Sequence, residues 1–81
     1  MRRLDADTAA FYQEVGRRVA EARRHAGLSQ QQVADLLRVQ QAAISNYERG
    51  KRGMPLATFV DLADVLNVDP DVLLSGGVWR P

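Results

Sequence analysis

Apolar residues recur early in the chain at Phe11, Val15, Val19, Ala22 and Ala26. Steps of three and four place them on one side of a helix. The pattern predicts a helix from about Asp7 to His25, capped by Asp7 or Thr8 and stopped at Gly27, which turns left-handed easily. Ser29 followed by Gln32 forms a capping box, with Leu28 placed to staple onto Val33. A second helix follows from it, with Val33, Ala34 and Leu37 on its core side. A third runs from about Gln41 to Arg49, with Ile44 and Tyr47 inward and Gly50 at its end. A fourth begins at Pro55, a residue suited to the first helical position, and carries Leu56, Phe59, Leu62, Ala63 and Leu66 as its stripe. The fifth repeats the device, with Asp69 as cap, Pro70 first, Val72 and Leu73 inward, and an end near Gly76-Gly77. Val39 and Val68 stand alone rather than in alternating runs, so no strand is predicted. The expected fold is all-α, with five helices in one domain over residues 7–75. Residues 1–6 are expected to form a flexible arm, and residues 76–81 a tail carrying Trp79.

Composition narrows the function classes. At 81 residues the chain allows one domain with a small core. It has no cysteine and one histidine, which excludes disulfides, thiolate metal sites and multi-histidine sites. His25, at the end of the first helix, suits the negative helix terminus rather than catalysis. No nucleophile–base pair or phosphate loop is visible, so neither an enzyme nor a cofactor is expected. No apolar run reaches membrane-spanning length, and Met1-Arg2-Arg3-Leu4-Asp5 leads into no apolar stretch, so a cytoplasmic protein is the expectation. Net charge is only +1, but residues 1–52 carry ten basic against six acidic side chains, and residues 53–81 one against four. A basic part joined to an acidic part suits one face for a polyanion and another for a different partner.

The decisive feature is the short turn between the second and third helices. About three residues between Leu37 and Gln41 force a steep crossing, which describes a helix-turn-helix. Such a unit presents its second helix outward. The outward side of that helix carries Gln40, Gln41, Ala42, Ser45 and Asn46. An ordinary solvent face would carry Lys and Glu, and this one has neither. Amide side chains offer a donor and an acceptor together, which matches the adenine edge in the major groove, and alanine offers a methyl contact to thymine. Ser29, Gln30, Gln31 and Gln32 start the second helix, where unpaired backbone N–H groups suit a phosphate. Arg38 in the turn, and Arg49, Lys51 and Arg52 beyond the third helix, bracket the amide face with positive charge. Gln41 and Asn46 are read as base contacts; Arg38, Arg49, Lys51 and Arg52 are read as phosphate contacts.

From Val15 to Leu74 the chain resembles the phage-repressor or Xre-type helix-turn-helix family. The matching residues are Arg23, Gly27-Leu28-Ser29-Gln30, Val33-Ala34, Leu37, Val39, Ile44-Ser45, Glu48-Arg49-Gly50, Pro55, Leu62-Ala63, Leu66 and Val68. The resemblance implies a compact five-helix lambda-repressor-like domain that binds double-stranded operator DNA, usually as a dimer. By position it implies base or phosphate contacts from Gln30, Gln41, Ala42, Ser45 and Asn46. Ser29, Gln31 and Gln40 are read on the phosphate side. It also implies that Arg23 and Glu48 form a buried ion pair. Such families commonly place glycine where Arg38 stands, so either Arg38 takes a glycine-like conformation or the turn differs. They favour Ser or Thr where Gln40, a weaker cap, stands. Tyr47 is expected to pack in the core with its tip at the surface, and Trp79 to pack on the last helices or across a dimer.

The function expected is a transcriptional regulator, a repressor or operon controller. A single domain this small covers too few base pairs for tight specific binding, which favours a homodimer on a two-fold operator. The expected seam is Val72, Leu73 and Leu74 with Val78 and Trp79, since three adjacent aliphatics exceed what a short helix buries in one small core. The alternative is an antitoxin whose domain also binds a protein toxin. It ranks second, because the short arm and tail leave little chain to grip one.

Overall fold

The structure is a computed structural model and describes residues 6–75. Five helices follow in order: α1 (Ala6–His25), α2 (Gln30–Leu37), α3 (Gln41–Glu48), α4 (Leu56–Leu66) and α5 (Pro70–Ser75). No strand occurs among the described residues, and none of their helices is long and apolar enough to cross a membrane. The helix α1 starts at Ala6, a residue expected in the arm. The rest of the arm and the tail, with Val78 and Trp79, lie outside the described residues.

Four helices end in the same way. After α1, the N–H of Leu28 donates to Arg23 O at 3.1 Å and that of Gly27 to Arg24 O at 3.0 Å, with Gly27 at φ +76°. This is the Schellman pattern, which satisfies carbonyls that a helix end otherwise leaves without partners. The pair recurs after α2 (Val39 to Ala34 O, Arg38 to Asp35 O), after α3 (Lys51 to Asn46 O, Gly50 to Tyr47 O) and after α4 (Val68 to Ala63 O, Asn67 to Asp64 O). Arg38 and Asn67 both sit at φ +59°. Arg38 therefore takes the glycine-like conformation, and the turn keeps its form. Leu28, Val39 and Val68, each directly after a left-handed residue, pack on the core. That explains the isolated valines: each pins a helix end rather than a strand.

The core joins all five helices: Val15 and Val19 of α1, Val33 and Ala34 of α2, Ile44 and Tyr47 of α3, Leu62, Ala63 and Leu66 of α4, and Leu73 of α5. Three expectations change. Phe11 is 47% exposed, packed edge-to-face on Tyr12 at 5.5 Å. The helix α1 is 20 residues long against 6 to 11 for the others, so its first turns overrun the core, which begins at Val15. Leu56 is 78% exposed because α4 starts there, and the stripe turns inward only from Phe59. Pro55 precedes that helix as its cap, one residue before the position expected, whereas Pro70 opens α5.

Leu73 corrects the expected dimer seam. Its side chain has no solvent-exposed area within the single chain, so it is part of the core and not available to a partner. The neighbours divide as a helix dictates, with Val72 half-buried and Leu74 42% exposed. Arg18 holds α5 in place: its guanidinium donates to Leu74 O at 2.7 Å and Leu73 O at 3.3 Å, satisfying carbonyls at the end of that short helix.

Candidate nucleic-acid interface

The helix α3 is eight residues long, and its cap Gln40 makes no side-chain hydrogen bond. Eight residues with so weak a start do not hold a helix in water, so packing has to. Ile44, Tyr47 and Glu48 face inward. Gly16 of α1 lets the end of α3 come close, since a Cβ there would overlap the carbonyl oxygens of Tyr47 and Glu48. Gly50 does the same one turn away, with Gln13 of α1 where its Cβ would be. Gly16 is the kind of lone glycine inside a helical pattern that signals a close approach in the sequence itself.

An ion pair locks α3 from behind. Arg23 Nε lies 2.6 Å from Glu48 Oε2, and Nη2 lies 3.1 Å from Oε1, a bidentate fork with side chains 12% and 5% exposed. The remaining Arg23 Nη1 donates to Leu28 O at 2.9 Å, tying the pair to the chain ahead of α2. The hydrogen bond to Glu48 raises the Arg23 pKa above its ordinary value, against the opposing effect of burial. One site thus joins α1, the α1–α2 connection and α3.

The outer side of the site differs from its inner side. Gln40, Gln41 and Ala42 are exposed, and Ser45 and Asn46 are half-buried along the same helix. Gln30, half-buried at the start of α2, donates through Nε2 to Glu48 Oε1 at 2.9 Å and accepts at Oε1 from Gln41 Nε2 at 3.1 Å. The two glutamines are therefore a coupled pair, which their separation in sequence does not reveal. Ser29 closes the capping box: its Oγ accepts from Gln32 N at 3.0 Å, and its N–H donates to Gln32 Oε1 at 2.8 Å. The amide of Gln31 is engaged on its own helix, donating to Asp35 Oδ1 at 2.8 Å. Arg38, Arg49, Lys51 and Arg52 are all exposed around this face. Arg52 lies over the Tyr47 ring, 5.4 Å from its centroid, so a buried aromatic orients a surface cation. No acidic side chain is exposed on α3, because its one carboxylate is that of the buried Glu48.

Two helices joined by a tight left-handed turn, the second anchored inside and polar outside, define a helix-turn-helix module. Residues 14–75 match the family model described as "Helix-turn-helix domain", and the chain belongs to that family. It is similar to the HTH-type transcriptional regulator ImmR of Bacillus subtilis (strain 168), with 38% identity over 61 residues, covering 75% of this chain and 48% of the relative. The SPbeta prophage-derived HTH-type regulator YonR of the same organism matches at 38% over 61 residues, covering 75% of this chain and 56% of that one. The chain thus spans about half the length of these curated relatives. Among solved structures it is similar to the restriction-modification controller protein C.AhdI from Aeromonas hydrophila, with a TM-score of 0.75 and 33% identity, over 79% of this chain and 97% of that one.

Proposed function

We propose that this protein is a transcriptional regulator that binds double-stranded operator DNA as a homodimer, with α3 in the major groove. The observation that carries the reading is the outward face of α3: exposed amide and methyl groups, free of acidic side chains, ringed by four exposed cations and braced from behind by a buried ion pair. Gln41 and Asn46 are the base-reading residues. Gln30, Ala42 and Ser45 stand beside them. Arg38, Arg49, Lys51 and Arg52 contact phosphates, joined by Gln40, by the hydroxyl proton of Ser29 and by the N–H groups heading α2, among them that of Gln31. The relatives support the class, since two are named HTH-type transcriptional regulators and the structural neighbour is named a restriction-modification controller.

The dimer seam lies at the α4–α5 corner. A groove there runs between α1 and the corner, with Arg17, Glu21, Arg24 and His25 on the α1 side and Val68 and Val72 on the other. Arg17 is paired with Glu14 and Glu21, so Arg24 is the cation this side offers a partner. Asp64 and Asp69 continue past Val68. A two-fold axis near Val68 sets each copy's Arg24 against the other's Asp64 and Asp69, and Leu74 is exposed on the neighbouring helix. The test is selection of bound sequences from a random duplex pool, followed by sedimentation of the complex. The expected outcome is an inverted repeat with half-sites about one helical turn apart, bound by two chains. Recovery of no enriched sequence would overturn the reading.

A further inference from the structure

Residues 6–13 of α1 precede the stretch that matches the helix-turn-helix family model, which begins at position 14. They meet the segment that follows α3 at two points. Gly53 lies against the Tyr12 side chain, since a Cβ there would stand 2.8 Å from Tyr12 Cζ and 2.9 Å from its hydroxyl oxygen. Gly50 lies against the backbone of Gln13, where its Cβ would stand 2.5 Å from Cα. The segment Gly50–Gly53 is thus laid along α1 at both ends, and the two cations between its glycines, Lys51 and Arg52, are exposed. Phe11 meets the Tyr12 ring edge-on, with centroids 5.5 Å apart and planes at 67°. Tyr12 is half-buried with two fixed neighbours, Phe11 and Gly53. That gives the exposed Phe11 a use outside the core.

We propose that Tyr12 is a further DNA contact: its hydroxyl donates a hydrogen bond to the backbone phosphate next to those that Lys51 and Arg52 neutralise. The proposal rests on the reading above, in which this segment runs along the DNA backbone. A phenol hydroxyl is a donor, and phosphate oxygens take hydrogen bonds from tyrosine as well as from cations. Among the described residues the Tyr12 hydroxyl makes no hydrogen bond, so its proton is free for a ligand. No acidic side chain occurs from Arg49 to Val60 to repel a phosphate there. Placement matters as much as chemistry. The ring is seated on Gly53, which no larger residue could replace without displacing it. The hydroxyl and the two cations are therefore held in one array, and Tyr12 loses little further freedom when DNA arrives.

Tyr12→Phe removes the hydroxyl and keeps the ring on Gly53 and against Phe11. The experiment titrates the parent protein, Tyr12→Phe and Lys51→Ala against the selected operator and a scrambled duplex at several salt concentrations. It then uses operator duplexes that carry an uncharged methylphosphonate at one backbone position at a time. Tyr12→Phe is expected to keep the parent's melting temperature and to weaken both duplexes alike by about three- to tenfold, the weight of one hydrogen bond. The salt slope is expected to stay, because an uncharged hydroxyl releases no counterion, whereas Lys51→Ala lowers it. One methylphosphonate position that weakens the parent is expected to weaken Tyr12→Phe less, and to lie beside the position that Lys51→Ala makes insensitive. Tyr12→Phe binding as tightly as the parent overturns the contact and leaves α3 in the groove. So does a loss with unchanged sensitivity at every phosphate, which marks a displaced segment rather than a missing contact. A parent protein that binds neither duplex removes both the contact and the reading beneath it.

Discussion

Arg38 occupies a backbone conformation that disfavours a residue with a Cβ by about 1–2 kcal/mol. Glycine takes it freely but loses more entropy on folding, roughly 0.5–1 kcal/mol. Arg38→Gly is therefore expected to change stability by less than about 1 kcal/mol in thermal denaturation. The same variant is expected to bind all DNA sequences more weakly, with the salt dependence of binding flattened by about one unit of slope. An unchanged slope would show that the Arg38 side chain touches no phosphate. Lys51→Ala is expected to behave as Arg38→Gly does on DNA. Gln41→Ala separates from both: the slope stays, and the loss of about 1–3 kcal/mol falls on the operator and not on scrambled duplex. Titration of the three variants at several salt concentrations checks the division between positioning and reading.

The helix α3 is a product of its neighbours. It has eight residues and no side-chain cap, and its packing depends on Gly16, on Gly50 and on the Arg23–Glu48 pair. In an exposed helix, alanine in place of glycine stabilises by about 1 kcal/mol. Gly16→Ala is expected to do the reverse, because its Cβ would overlap backbone carbonyls that cannot swing away as a side chain can. Forcing α3 outward is expected to cost about 1–3 kcal/mol in urea denaturation and to weaken operator binding with it. Glu48→Ala strands the Arg23 guanidinium and is expected to cost about 3–5 kcal/mol, whereas the double change Arg23→Met, Glu48→Leu recovers most of that loss. Equal stability of the single and double variants would show that the pair is not buried as a unit.

At the scale of the molecule, the proposed DNA face and the proposed seam draw on different charged residues. Arg24 on α1 and Asp64 on α4 lie on opposite sides of the α4–α5 corner, and both are exposed. Arg24→Asp and Asp64→Arg are each expected to weaken the dimer in sedimentation equilibrium by placing like charges together. The double variant is expected to restore it, because a two-fold axis exchanges the two lips. Failure of the double variant to recover would place the seam elsewhere.

Much of this molecule is written locally. Apolar spacing marked all five helices, the Ser29–Gln32 pair marked the start of α2, and the glycines at 27 and 50 marked two ends, because capping and periodicity act within a few residues. The short turn and the amide face of α3 were legible for the same reason, and the spaced matches to a repressor-like pattern paired Arg23 with Glu48. Along α5 the spacing turned Val72 and Leu73 inward, and Leu73 is buried; what it did not show is that burial under α1 and α4 is complete enough to remove Leu73 from a seam. Nor did it show what Gly16 approaches, since its missing Cβ matters only once α3 lies against it. The Gln30–Gln41 link is of the same kind. Its two residues stand on different helices, and only the crossing of those helices brings one amide to another and both to a buried carboxylate. Sequence by itself determined that five helices form and, to within a residue or so, where each begins and ends, whereas Phe11 and Leu56 show that the ends of an apolar stripe need the fold to place them. Tertiary structure alone decided that Gln30 meets Gln41 and Glu48, because hydrogen bonds across helices depend on distances of a few tenths of an ångström that no periodicity encodes.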